Sequence, residues 1–302
     1  MALPSVDSPH SLLILGGEGQ IGSALAALDW PGWTVTALDR REGDITAAST
    51  AQAILRRRPR VVVNAAAYTD VEGAEADPAA ALRVNARAPR QLAEACAAAG
   101  AWLIHYSTDY VFDGAKPGAY VESDAPGPLN VYGASKLAGE QAIVASACRH
   151  LILRTSWVYS GQGSNFTTKI LARARLGQAL RVVDDQFGAP TWAHALALAT
   201  QRAIGMLDRT QAAGPALSGI YHLSAAGRCN WYEVAKAALE LSGLTVPVTP
   251  VAAAMFGAVA RRPANSVLDS SRFAATFGCR IAPWREDLAR CLAGADQSRS
   301  NP

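Results

Sequence analysis

No apolar run in this 302-residue chain approaches the roughly 20 residues a helix needs to cross a bilayer, which excludes a transmembrane span. Cysteine is scarce. Five thiols, Cys96, Cys148, Cys229, Cys279 and Cys291, lie far apart, and no Cys-x-x-Cys occurs. An odd, unpatterned set argues against a disulfide scaffold and a zinc site, and points to reduced thiols in the cytoplasm. The N-terminus, Met1 to His10, carries Asp7 and two prolines and lacks the basic start of a secretory signal. Charge is also sparse: charged residues make up 18% and the net charge is only +3, with the basic residues scattered. Nucleic acid is therefore not an expected partner, nor is a membrane. The one basic cluster, Arg56-Arg57-Arg58, runs into Pro59 and reads as a helix C-terminus, where cations suit the macrodipole.

What is present is apolar: 50% of the residues are hydrophobic, enough for a substantial core. The length suits one large domain, or one with a smaller appendage. Short apolar runs alternate with Ala-rich helical stretches. The pattern predicts strands at 11–15, 33–38, 60–64, 102–106 and 151–154. It predicts helices at 20–28, 47–57 and 132–146, and a single helical region from about 79 to 99. The stretch from Asp109 to Asn130, rich in Gly and Pro, reads as a long loop of the kind that is usually functional. Strands alternating with helices imply βαβ units and a parallel sheet. Past about Ser160 the pattern loosens, with strands expected at 180–183 and 219–222 and helices near 165–176, 191–206 and 230–241. The expectation is an α/β, doubly wound parallel sheet of the Rossmann type in residues 1–160. A smaller C-terminal substrate-binding lobe, interleaved with the sheet, fills residues 161–302, and the tail from Gly294 is expected to fray.

The first strand runs into Gly16-Gly17-Glu18-Gly19-Gln20-Ile21-Gly22. Gly16 allows a tight turn, Gly19 lets the backbone approach a pyrophosphate, and Gly22 lets the next helix pack close to the strand. The pyrophosphate would sit on free N–H groups at that helix's N-terminus. A glycine triplet alone is weak; strand before and helix after strengthen it. Asp39 ends the second strand, where an acid can bind the adenosine ribose hydroxyls. Arg40 follows, and an arginine there can pair with a ribose 2′-phosphate instead. NADH and NADPH both stay open. Asp44-Ile45 could flank the adenine, and Asp44 could equally cap a helix. Asn64-Ala65-Ala66-Ala67 closes the third strand with small residues that either leave room for a cofactor or simply pack closely.

Tyr132 and Lys136 are four residues apart and share one helical face. A free tyrosine, with pKa near 10, is too weak an acid for efficient transfer at neutral pH. An ammonium one turn away would lower that value. Tyr-x-x-x-Lys is common by chance; its weight here comes from following a dinucleotide loop, four strands and a long loop. Thr108, at the carboxyl end of the fourth strand, is preferred to Ser107 as the hydroxyl facing the cleft, because strand residues alternate.

Together these residues resemble the dTDP-4-dehydrorhamnose reductases, extended short-chain dehydrogenases. The similarity runs from Leu13 to about Leu288. It is carried by Asn64 to Thr69, Val84-Asn85-Ala86, Ser107 to Gly114, Pro128 to Gly133, Ser135-Lys136 and Leu153 to Tyr159. Further blocks are Val182 to Gln186, Pro190-Thr191 and Arg262 to Asp269. The resemblance implies reduction of the C4 ketone of dTDP-4-dehydro-6-deoxy-L-mannose to dTDP-L-rhamnose by NADPH or NADH. It implies that Tyr132 gives the proton, Lys136 tunes Tyr132 and holds the ribose, and Thr108 adjusts the hydrogen bonding. Asp109 and Trp157 would contact the dTDP-sugar. Gly19, Gln20, Ile21, Asp39, Asp44, Ile45, Ala67, Tyr68, Thr69 and Tyr106 match family cofactor positions, with Ala66 beside them.

One departure is plain. Many members read Gly-x-Glu-Leu after the third loop glycine, where this chain has Gly22-Ser23-Ala24-Leu25. The missing carboxylate argues against the Mg2+ site some members use, and against the mode of dimerisation that site would bridge, while a homodimer by another contact stays open; no metal ligand is expected. Two other readings stand beside the reductase. One is an epimerase or dehydratase of the same superfamily, against which Tyr110 counts, since it replaces the glutamate a dehydratase uses beside Asp109. The other is a non-catalytic regulatory subunit that only binds the dinucleotide.

Overall fold

The computed structural model describes residues 10–209 and 214–299. In chain order it begins with β1 (His10–Leu15), α1 (Gln20–Ala26), β2 (Trp33–Leu38), α2 (Ala48–Arg57) and β3 (Val61–Asn64). Next come α3 (Val71–Ala76), α4 (Pro78–Leu82), a π turn (Arg83–Arg87), α5 (Ala88–Ala99) and β4 (Trp102–Thr108). After a 3-10 turn (Asp109–Val111) follow α6 (Val131–Val144), β5 (Arg149–Thr155), β6 (Val158–Tyr159), α7 (Phe166–Arg175) and β7 (Leu180–Val183). Then come β8 (Phe187–Gly188), β9 (Thr191–Trp192), α8 (Ala193–Arg209), α9 (Gly214–Leu217), β10 (Gly219–His222) and β11 (Cys229–Asn230). The chain closes with α10 (Trp231–Leu241), β12 (Val248–Val251), a 3-10 turn (Ala253–Phe256), α11 (Ser271–Phe277) and α12 (Trp284–Arg299).

Six strands form one sheet in the order β10-β5-β4-β3-β1-β2, every pair parallel. This is the expected α/β sheet. Side chains alternate across a strand, so each strand feeds two cores. Leu12, Ile14, Val63, Ile104 and Leu153 pack with Leu25 of α1, Leu196 of α8 and Phe273 of α11. Leu13, Leu15, Val62, Leu103 and Ile152 pack with Ile54 of α2, Leu92 of α5 and Ile143 of α6. Helices therefore cover both faces, as a parallel sheet requires. The second half of the chain supplies β10, α8 and α11 to this layer. A separate core joins α7, α10 and α12 through Ile170, Leu171, Ala238 and Leu288. The Arg56–Arg58 cluster ends α2, with Arg58 in the left-handed region at φ 44°.

The structure departs from the pattern at three places. The helical region expected from about 79 to 99 runs without a gap from Pro78 to Ala99, but it is not α throughout. Asp77 accepts a hydrogen bond from Ala80 N–H and starts α4. Pro89 has no N–H for the Asn85 carbonyl, and the chain widens there into the π turn. Secondly, Thr191 and Trp192 are not helical; they pair as β9 with β6, and α8 begins at Ala193. Thirdly, α12 extends through Gly294 to Arg299, into the tail that carried no predicted element, and residues 300–302 of that tail lie outside the described residues. The N-terminal reading of residues 1–9 lies outside the described residues. Among the described residues no helix is long and apolar enough to cross a membrane, and no cluster of potential metal ligands occurs.

Candidate active site

The carboxyl ends of β1 to β5 converge on a cavity of about 770 Å3. Its floor is the glycine loop. Gly16 has φ +81°, and a Cβ there would come within 2.7 Å of the Ala66 backbone nitrogen. A Cβ on Gly22 would lie 2.1 Å from the Gly16 carbonyl oxygen, so Gly22 sets the approach of α1 to β1. Gly22 does not line the cavity; Gly16, Gly19, Gln20 and Ile21 do. No side chain caps α1, so its first-turn amides are left for a ligand. Gln20 ties the loop to the far wall: its Oε1 accepts from Ser160 at 3.1 Å and Asn165 at 3.2 Å.

At the adenosine end the two candidates separate. Arg40 lines the cavity, with Asp44, Ile45 and Thr46. Asp39 does not; its Oδ1 accepts from the backbone amides of Arg41 at 2.7 Å and Glu42 at 2.8 Å. These two bonds close the turn after β2 on Oδ1 alone. Asp44 accepts from Thr46 N–H and hydroxyl, which holds its carboxyl below the usual range. Ala66, Ala67, Tyr68 and Thr69 form the opposite wall. They are pinned by Asn85 from the π turn, which donates to Tyr68 O at 2.9 Å and accepts from Tyr68 N at 2.9 Å. Asn85 also donates to Ser135 of α6 at 3.0 Å.

Tyr106, Ser107, Thr108, Asp109, Tyr132, Lys136 and Trp157 meet at the other end. Asn130 caps α6 by accepting from Gly133 N–H at 2.7 Å, which starts the helix one residue before Tyr132. The Thr108 hydroxyl donates to Asp109 Oδ1 at 3.1 Å and accepts from Tyr110 N–H at 3.1 Å, on the same cavity wall as the Tyr132 phenol. Ser107 also touches the cavity, yet its hydroxyl is taken by Glu140 Oε1 at 2.5 Å. Tyr106 turns its hydroxyl away, to Thr200 at 2.6 Å, so only the rest of the residue faces the cleft. Burial raises the Asp109 carboxyl to about 7, with Ser266 and Thr108 hydrogen bonds pulling it partly back.

Burial pushes the Tyr132 phenol up to about 12, offset in part by Thr108. Lys136 Nζ, 2% exposed, donates to Tyr106 O at 2.6 Å, and burial lowers it to about 8. Behind it lies a network that sequence reasoning missed. Glu140 receives Arg154 Nε at 2.9 Å and Nη2 at 2.6 Å, both residues fully buried. The visible hint was spacing: Tyr132, Lys136 and Glu140 recur every four residues on one face of α6.

Trp157 has φ 47°, costly for a bulky residue. Its ring stacks on Trp231 at 3.7 Å and 12°, over Gly188. Beyond Tyr110, whose ring lies 6.0 Å from that of Tyr132, a second cavity of about 860 Å3 opens. Lys169, Arg173, Arg181, Arg261 and Arg262 line it with Phe166, Trp231 and Phe256; its one acid, Glu72, pairs with Arg262 at 2.8 Å. A third cavity, about 450 Å3, lies at the amino ends of the strands and away from these groups.

Comparison with known proteins follows the same lines. Residues 10–297 match the family model described as RmlD substrate binding domain. The dTDP-4-dehydrorhamnose reductase of Burkholderia thailandensis is 40% identical over 93% of this chain and 97% of its own. That of Escherichia coli K12 is 39% identical, again over 93% and 97%. The crystal structure of dTDP-4-dehydrorhamnose reductase from Bacillus anthracis in complex with NADP has a TM-score of 0.87 at 34% identity, covering 94% of this chain and 99% of that one.

Proposed function

The chain belongs to the family of the dTDP-4-dehydrorhamnose reductases, and on that footing we propose that it reduces the C4 ketone of dTDP-4-dehydro-6-deoxy-L-mannose to dTDP-L-rhamnose with NADPH. The observation that carries the reading is the meeting of Thr108, Tyr132 and Lys136 on the wall of a cavity whose floor is the Gly16 to Ile21 loop. The fit to a dinucleotide rests on the Gly16 cradle and the uncapped α1 amides, which suit a pyrophosphate. Arg40 on the wall favours a 2′-phosphate and hence NADPH.

When bound, the reduced nicotinamide supplies the hydride for the carbonyl carbon. Tyr132 then passes its phenolic proton to the alkoxide oxygen. Its high proton affinity suits that direction: the phenol stays protonated at neutral pH, and an alkoxide is more basic still. Thr108 orients the phenol and can donate to the same oxygen. Lys136 supplies positive charge as the phenolate forms. Asp109 and Trp157 bound the sugar. The second cavity takes the nucleotide: Arg173 and Arg181 suit the diphosphate, and Trp231 or Phe256 offers a face to the base. The same reading keeps the five thiols reduced, in the cytoplasm.

The test is NADPH oxidation on the keto-sugar nucleotide. Tyr132→Phe is expected to lower kcat by about 10²–10⁴-fold, the usual weight of a general acid, with NADPH binding retained. Full turnover in Tyr132→Phe contradicts the acid assignment.

A further inference from the structure

His105 sits inside β4 at 1% exposure, between Asn64 and Lys136, which are 1% and 2% exposed. The β3–β4 register sets Asn64 opposite His105. The Asn64 amide has a fixed sense, because its Oδ1 accepts from Ala66 N–H at 3.2 Å. Its Nδ2, a donor without an acceptor lone pair, therefore faces His105 Nδ1 at 3.0 Å. That contact requires Nδ1 to be bare, and the proton of the neutral ring to be on Nε2. Nε2 in turn faces Lys136 Nζ at 3.3 Å. An ammonium has three donors and no acceptor, so it meets this N–H donor to donor; an uncharged amine offers a lone pair.

We propose that His105 is a positioning residue for Lys136: held by Asn64 with its proton on Nε2, it presents an N–H to the lysine nitrogen and favours the uncharged amine. The inference rests on the role of Lys136 in the proposed reduction. Once Tyr132 has given its proton to the alkoxide, a proton from the Lys136 ammonium restores the phenol, and the amine left behind keeps the nitrogen electron pair. The His105 N–H then has its acceptor, and solvent later returns a proton to Lys136. The other charged groups around this nitrogen are Glu140, one turn along α6, and Asp109 beyond Tyr132. Glu140 favours the ammonium, although Arg154 from β5 and Ser107 from β4 occupy its oxygens. Lys136 thus stands between a carboxylate that favours its charge and an imidazole that opposes it. Burial holds His105 itself neutral, well below its usual range.

Two measurements test this. In the intact enzyme labelled with 15N-histidine, with His105 assigned by its loss in His105→Gln, the expected spectrum at neutral pH shows Nε2 protonated and Nδ1 bare. A proton on Nδ1 overturns the proposal, and this readout needs neither substrate nor turnover. In the turnover assay, His105→Phe is expected to move the alkaline limb of kcat up by about 0.5–1 pH unit, the size of one hydrogen bond that favours one protonation state. His105→Gln, whose amide N–H can replace that of Nε2, is expected to return the limb toward the parent. An unmoved limb in a folded His105→Phe enzyme overturns the proposal. Absence of any NADPH turnover by the parent, with the tautomer as stated, would instead count against the reductase reading.

Discussion

At the phosphate end of the main cavity the chain makes room by omission, whereas at the Tyr132 end it fills space with buried polar groups. Gly16 and Gly22 are needed because any side chain would strike backbone, 2.7 Å and 2.1 Å from a built Cβ. Around Tyr132 the opposite holds: Ser107, Glu140, Arg154, His105 and Lys136 are each at or below 5% exposure and depend on one another. A backbone site tolerates little added volume. A buried polar network tolerates little removal, since each lost partner leaves another group unsatisfied.

The largest contrast should come from Glu140→Ala, which strips Arg154 and Ser107 of their buried acceptor. Breaking a buried ion pair on one side costs roughly 3–5 kcal/mol, readable as a lower urea midpoint. An unchanged midpoint would show that the network carries little of the fold's stability. Gly22→Ala tests the other end. Overpacking costs about 1–3 kcal/mol, and NADPH affinity should fall with it while the Tyr132 region stays folded. Retained affinity would mean that α1 can move away from Gly16 at little cost.

Arg40→Ala should be milder. Losing one charge-assisted contact to a 2′-phosphate is worth on the order of tenfold, read as a rise in KM for NADPH with little change for NADH. Equal losses for both cofactors would remove Arg40 as the discriminating group. The gentlest signature is in pH. The Asp109 carboxyl is raised in the folded protein from 3.8 to about 7. Between those values the native state holds a proton that the unfolded chain releases, so stability falls as pH rises through the window. The slope tends toward about 1.4 kcal/mol per pH unit for one group. Asp109→Asn should flatten it, as read by urea unfolding at several pH values.

The glycine end was legible because its requirement is local: one strand, three glycines at fixed spacing, one helix. Thr108, Tyr132 and Lys136 were placed in one cavity by the same order of elements. The network behind them was not legible, since its pairs are distant in the chain. Asn64 and His105 are 41 residues apart, Ser107 and Glu140 33, and Asn85 and Ser135 50. The turn closure by Asp39 was not legible either: its position after β2 suited a ribose contact, and its spacing did not show that Oδ1 also accepts the Arg41 and Glu42 amides. Nor does sequence spacing reveal burial, which pushes the Tyr132 phenol up.

The central claim is that hydride passes from a bound dinucleotide to the sugar and stays there. NADPH dideuterated at nicotinamide C4, incubated with the enzyme and dTDP-4-dehydro-6-deoxy-L-mannose, tests it by mass spectrometry of the product. The account predicts a single deuterium at the sugar C4, with one NADPH consumed for each dTDP-L-rhamnose formed. A product without deuterium, or conversion with no NADPH consumed, would contradict it.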